Sequence, residues 1–300
     1  GKRTRVDDAI SNTGYGPSSC SRHGWMHKHA HRVDAVTAQA RQLHHPERQK
    51  ILLTANLSWY LYNFRARLAE HLEAQGYEIV LAAPPDDSNN EAFFQRRAFY
   101  SLRAARNGLN PLVEALALLR ILRVLRQARP GLVLSWATKP NIYMGLAGRL
   151  LGIPVVPNLT GMGQPFVRGG LLARFVGALY KQAFASSPTV FFQNDEDQRI
   201  FIDAGRVRAT QAHRLPGSGV DLRRFQVQAL PTEGPFVFLY VGRLLATKGV
   251  RDLVAAARML RQGPVQRPFV LRQAGPEDTG DTSGIAQDEH DGWVAAGEIE

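Results

Sequence analysis

The sequence predicts an α/β protein built on a mostly parallel sheet, in two doubly wound units. Three observations carry that prediction. From residue 50 onward, apolar runs of strand length alternate with longer segments of helical period. Strands separated by helices pair in parallel with helices on both faces, and right-handed crossovers fix most of the topology. A linker containing Pro, Glu and Gly then precedes a fresh strand–loop–helix opening at FVFLYV (236–241), which sets a second unit apart.

Each element has its own reason. ILLTA (51–55) is an apolar run of strand length, and Phe64, Leu68 and Leu72 follow at helical spacing until Gly76. YEIVLAA (77–83) is a strand stopped by Pro84 and Pro85, and AFYSL (98–102) is a third, shorter one. Pro111 opens the helix PLVEALALLRILRVLRQ, which ends before Pro130 and Gly131. LVLSW (132–136) is a strand, NIYMGLAGRLLG (141–152) a helix, and IPVVPNL (153–159) extended. A basic amphipathic helix over 171–184 leads to the strand TVFF (189–192), the helix DEDQRIFIDAG (195–205) and HRLP (213–216). In the second unit a helix carries Val250, Leu253, Val254, Ala257 and Leu260 on one face, and the tail EDTGDTSGIAQDEHDG reads as polar loop. Only about 65 residues belong to that unit, thin for a doubly wound domain. The expectation is therefore an N-terminal extension over 1–48, a first domain over 49–225 and an incomplete second domain over 226–300.

Composition narrows the function classes. The chain has 300 residues, is 44% hydrophobic and carries a formal charge of +11. Such charge invites nucleic acid, anionic membrane or phosphorylated small molecules as partners. No zinc-finger, aromatic-basic or helix-turn-helix pattern supports nucleic acid, which rests on charge alone. The single cysteine, Cys20, excludes an intramolecular disulfide and suits a reducing cytoplasm. No apolar run reaches spanning length; Leu112–Leu125 is broken by Glu114, Arg120 and Arg123. The chain starts at Gly1, and residues 1–48 lack periodicity. There His23, His27, His29 and His31 have the spacing to bind a metal, but such a run is ordinarily a solvated tail.

The chemistry concentrates in VGRLLATKGV (241–250). It leaves a strand through Gly242, which lets a ligand approach the backbone. Arg243 offers a fork of donors suited to phosphate oxygens and Lys248 a mobile point charge. A helix beginning near Gly249 turns its amides to the same place. The plain alternative is a solvated loop with two surface cations, because the fuller glycine fingerprint of a P-loop is missing.

GRLLATKG resembles the donor-diphosphate loop of the family 4 glycosyltransferases, enzymes of GT-B fold with two facing Rossmann-like domains. LSWYLYNFRARLAEHLEAQGYEIVLAAP (57–84) is similar to their opening strand–helix–strand. ATKPNIYMGLAGRLLGIPVV (137–156) and NLTGMGQPF (158–166) resemble the subgroup acting on lipid-linked sugars, and FFQNDEDQRIF and LPGSGVDLRRF complete the order. The resemblance covers roughly residues 50 to 300. It implies a retaining, metal-independent transfer of sugar from a nucleotide donor, a UDP-sugar being expected, to a polyprenyl-diphosphate-linked glycan. The nucleotide sugar is a co-substrate, and no cofactor is implied.

The resemblance also implies roles. Gly242, Arg243, Lys248 and Gly249 would hold the donor diphosphate. Lys139 and Asn141 match a K-x-N on a loop facing the cleft, and Thr160, Gly161 and Gly163 the loop after the next strand. Asn56 and Arg65 flank the first loop as further acceptor-side candidates. An ordinary helix start with Pro140 near its beginning is the alternative for the K-x-N. No protein base is evident, so the leaving phosphate itself is expected to assist proton removal. One implied motif is missing: a Glu-x7-Glu pair in the second domain. Glu289 and Glu298 lie nine apart, in a segment expected to be loop, and do not supply it.

Other patterns weigh less. Asp195-Glu196-Asp197 spells the D-x-D of metal-dependent transferases, but it also suits a helix first turn, where acids offset the macrodipole. Ser218 is not a nucleophile elbow, since Pro216 stands where glycine is needed, and the GMG at 161–163 lacks a third glycine at Phe166. The helix around 168–181 (RGGLLARFVGALYK) packs on the sheet or meets an anionic membrane. A cytoplasmic protein, peripheral on the inner face of the plasma membrane, is the expectation. A GT-B-type sugar-nucleotide epimerase and a non-catalytic basic membrane- or nucleic-acid-binding module stay open as alternatives.

Overall fold

The computed structural model describes residues 50–102, 111–161, 170–229, 231–263, 268–275 and 283–300. The extension over 1–48 and Gly163 lie outside them. The chain divides into two compact units, one ending at Phe225 and one spanning Gln226–Glu300.

The first unit is a seven-stranded parallel sheet in the order β3-β2-β1-β4-β5-β6-β7. Its strands are β1 (Lys50–Thr54), β2 (Glu78–Ala83), β3 (Ala98–Ser101), β4 (Leu132–Trp136), β5 (Val155–Leu159), β6 (Val190–Phe192) and β7 (Ala212–Arg214). Helices α1 (Ser58–Ala74), α2 (Ala92–Gln95), α3 (Pro111–Ala128), α4 (Thr138–Leu151), α5 (Gly170–Phe184) and α6 (Asp195–Asp203) connect them. The order reverses between β1 and β4, where open α/β sheets bind ligands at the carboxyl ends of the strands.

Both faces of the central strands are covered, so these strands are apolar without alternation. Ile51 and Leu53 of β1 pack with Leu61 and Ala69 of α1. Leu52, one residue on, packs with Val124 and Leu125 of α3 and Met144 and Ala147 of α4. On α3 the buried residues Ala117, Ile121, Val124, Leu125 and Ala128 form one helical stripe. A third cluster joins Ile142 and Leu159 to Tyr180, Phe184, Phe192 and Phe201 of α5, β6 and α6.

Strand ends shift by one or two residues from the sequence reading, and two larger differences have a physical reason. Helix α4 starts at Thr138 rather than 141, because Pro140 falls in the first turn, where no amide donor is required. Between β2 and β3 a 3-10 turn (Asp87–Asn90) and the short α2 occupy a stretch without clear periodicity, with Phe93 and Phe94 buried.

The second unit pairs β8 (Phe236–Val241) in parallel with β9 (Phe269–Ala274) and adds α7 (Val250–Gln262) and α8 (Gln287–Ala295). Its core joins Leu244, Val250, Val254, Ala257, Leu271, Ile285, Trp293 and Ile299. The reading of the tail as loop is corrected: α8 forms there because Trp293 inserts into this core.

Candidate functional site

At the carboxyl end of β1, Asn56 sits half-buried in the loop to α1. The first turn of that helix is held from outside: the backbone N–H of Trp59 donates to Asp86 Oδ2 at 2.8 Å, and Ser58 Oγ donates to the Pro84 carbonyl at 3.0 Å. Two turns on, Arg65 reaches back over the sheet, its guanidinium carbon 4.4 Å from the ring centre of Trp136, the last residue of β4. Burial lowers the Arg65 pKa to about 10. Among the described residues it has no carboxylate partner; its guanidinium donates to the Phe64 carbonyl at 3.3 Å.

The next residue, Ala137, takes φ 75° and ψ 156° at the start of α4. That region is strongly disfavoured for any residue with a Cβ and costs on the order of 1–3 kcal/mol. Asn141 helps hold the turn, its backbone N–H donating to the Ala137 carbonyl at 3.0 Å.

The expectation that Asn141 faces a cleft is corrected by its burial and its partners. Asn141 is 0% exposed. It accepts from Ser135 Oγ at 2.7 Å and donates to the Asn158 carbonyl at 2.9 Å, tying β4, α4 and β5 together. A buried amide needs such partners more than a ligand does. Lys139 Nζ turns to Glu114 of α3 at 2.7 Å. Tyr143 Oη donates to the same carboxylate, and burial together with Glu114 pushes the phenol above its ordinary range. Thr160 is exposed and Gly161 half-buried after β5, at the same end of the sheet.

Sequence reasoning missed Trp136 and Asn158. These two are in-register neighbours on β4 and β5, so their side chains leave the same face. They are 8% and 5% exposed, yet among the described residues Trp136 Nε1 and Asn158 Oδ1 find no hydrogen-bond partner. The only signal in the sequence was an aromatic residue closing a strand.

In the second unit the loop over 242–249 is anchored and its cations project. Leu244 and Leu245 are buried, while Arg243 and Lys248 are exposed. The segment 283–285 pins it: the Ala246 N–H donates to the Ser283 carbonyl at 2.7 Å, and the Ile285 N–H to the Leu244 carbonyl at 3.0 Å. Tyr240 Oη donates to the Arg243 carbonyl at 2.7 Å. Gly249 takes φ +77° at the start of α7, a conformation that makes the sharp turn into the helix available. A second glycine, which sequence reasoning missed, makes the close approach: a Cβ on Gly275 would lie 2.1 Å from the Gly242 carbonyl oxygen.

The D-x-D acids have structural partners. Asp195 pairs with Arg214 at 2.7 Å, and Asp197 accepts from Asn194, whose own side chain caps α6 through the Asp197 N–H at 2.7 Å. Among the described residues no cluster of three His, Cys, Asp or Glu side chains has metal-binding geometry. Glu289 and Glu298 are likewise engaged, by Arg251 and Arg258 of α7.

Residues 50–194, the segment holding β1 to β6, match the family described as glycosyl transferase 4-like. The match covers just under half of the chain and is a likeness of this segment to that family. Solved structures match it over a longer stretch. Sucrose-phosphate synthase from Thermosynechococcus elongatus is 18% identical, with 84% of this chain and 70% of that one covered and a TM-score of 0.58. HepE from Anabaena, in complex with UDP-glucose, is 16% identical over 83% and 68%, at 0.57. A putative UDP-N-acetylglucosamine 2-epimerase from Listeria monocytogenes is 13% identical over 84% and 68%, at 0.56. At such identities the likeness is one of fold, that of GT-B proteins taken unit by unit. The chain spans 57% of the length of MurG from Acinetobacter baumannii and 64% of the galactosyltransferase WaaB. No curated protein matches this chain.

Proposed function

We propose that the chain is part of a glycosyltransferase that moves a sugar from a UDP-sugar to a lipid-linked glycan, with retention and without a metal. The observation that carries the reading is the anchored loop over 242–249. It leaves a parallel strand at its carboxyl end with Arg243 and Lys248 exposed and α7 starting behind them. The match of residues 50–194 to the glycosyl transferase 4-like family suggests the reaction class, and HepE, which holds UDP-glucose, makes UDP the nucleotide to test first.

In this reading the second unit meets the departing diphosphate. The Arg243 guanidinium and Lys248 ammonium face charge that grows as the glycosidic bond to phosphate breaks, the condition under which fixed donors stabilise a transition state most. The leaving phosphate itself takes the acceptor proton. The first unit holds the acceptor near Asn56, Thr160 and Gly161. Peripheral attachment fits the outer face of α3, where exposed Leu112, Leu116 and Leu119 precede exposed Arg120 and Arg123. No helix among the described residues is long and apolar enough to cross a membrane.

Calorimetric titration of the chain with UDP, repeated with Arg243→Ala plus Lys248→Ala, tests the reading. Binding should weaken roughly 10- to 100-fold for each charge-assisted hydrogen bond removed. Equal affinity in the double variant would remove the loop from the site. The fold match to the epimerase keeps a second reading open. Conversion of UDP-N-acetylglucosamine without an acceptor would favour epimerisation.

A further inference from the structure

The α1 face of the sheet holds three side-chain groups whose bonding is incomplete. Arg65 is a half-buried cation that finds an indole ring instead of a carboxylate. Among the described residues, Trp136 Nε1 is a buried donor without an acceptor, and Asn158 Oδ1 a buried acceptor without a donor. Each such group costs the fold free energy, and groups of this kind mark places where something else completes the bonding. Their position adds a second, independent argument. Trp136 and Asn158 are neighbours at the carboxyl ends of β4 and β5, and Trp136 closes the strand next to β1 at the order reversal.

The chemistry of the three restricts the ligand. A guanidinium and an indole N–H only donate, so both call for acceptor atoms, and the positive charge calls for an anion. The amide oxygen only accepts, so it calls for a hydroxyl. A bare phosphate can offer Asn158 only its own P–OH on the atom that Arg65 and Trp136 already hold, and a neutral sugar leaves Arg65 unmet. We propose that Arg65, Trp136 and Asn158 form a recognition site for a glycosyl phosphate, with the phosphate on Arg65 and Trp136 Nε1 and an adjoining hydroxyl on Asn158 Oδ1. The depressed Arg65 pKa agrees, because a bound anion would offset the cost that burial places on the cation. The identity of the ligand rests on the acceptor reading of the first unit; the anion site does not.

The test uses the whole chain carrying Arg243→Ala and Lys248→Ala, so that the donor loop takes no phosphate. The indole N–H signal of Trp136, assigned with Trp136→Phe, is followed by NMR during titration with glucose 1-phosphate. A saturable shift is expected, with inorganic phosphate and glucose each binding at least about tenfold more weakly. Arg65→Gln should weaken binding about 10- to 100-fold. Asn158→Asp, which places a negative charge beside the phosphate, should do the same and serves if the first variant does not fold. Phosphatidylcholine vesicles with and without phosphatidylglycerol form the second arm. A shift with phosphatidylglycerol alone assigns a lipid-borne phosphate, and one with glucose 1-phosphate alone a free sugar phosphate. No shift with either probe in the folded parent, or unchanged affinity in both variants, would overturn the proposal. Because UDP binding reads Arg243 and Lys248 and this titration reads Arg65, either can fail without the other.

Discussion

The two units treat their sheets differently. In the first, β1 sends Leu53 to α1 and Leu52 to α3 and α4, so neither face meets water. In the second, every residue of β8 except Tyr240 is exposed, Leu239 and Val241 most of all. The contrast explains why their candidate sites are recognised by different means. In a sheet closed on both faces, an unmet polar atom is sealed in and stands out against its surroundings. In a unit with an open face, cations on a loop look like any solvated charge, and only their spacing and anchoring mark them.

The sharpest way to break the comparison is to truncate one leucine in each sheet. Leu53 is 0% exposed and Leu239 60%. Leu53→Ala should cost about 3 kcal/mol and Leu239→Ala under about 1 kcal/mol in urea unfolding. Equal losses would mean that the β8 face is covered in solution. Next in size, Asn141→Ala should cost about 2–3 kcal/mol, since it strands Ser135 Oγ and the Asn158 carbonyl inside the closed sheet.

Arg65 should behave in the opposite sense. Arg65→Leu is expected to leave thermal stability unchanged or to raise it by up to about 1 kcal/mol, because it removes a desolvated cation without a carboxylate. The sign of its pH effect follows from the depressed pKa. In alkali above about 10 the fold binds this proton less tightly than the unfolded chain does, so this contribution to stability rises with pH there and vanishes in the leucine variant.

The smallest effect belongs to the second unit. The Arg258 hydrogen bond holds the Glu298 carboxyl below its usual range. Its contribution is therefore present at neutral pH and lost as acid titrates the carboxylate through that lowered value. Glu298→Gln should flatten the acid limb of stability slightly, and added salt should shrink the difference, as expected of an exposed pair.

Much of the fold was legible because hydrophobic period is a local property. LVLSW matches β4 residue for residue, and the α3 stripe repeats every three to four residues. Helix α8 was not legible, because a single tryptophan buried by long-range packing outweighs a polar composition. The loop with Arg243 and Lys248 could be found because its chemistry is contiguous in the chain. The Arg65–Trp136–Asn158 grouping could not: its members stand on three elements, and only the sheet order brings them together. Asn141 shows the reverse case, a polar residue in a site-like motif whose partners are all internal.

The tie made by Asn141 bears on how variants of this protein would be sorted in a genetic screen. A substitution there loosens the ends of two strands that carry Trp136 and Asn158, so colonies would score as inactive although no reacting group had been touched. Selection for second-site revertants would then return packing changes around Ser135 and Ala137, not changes in the loops that meet the sugar.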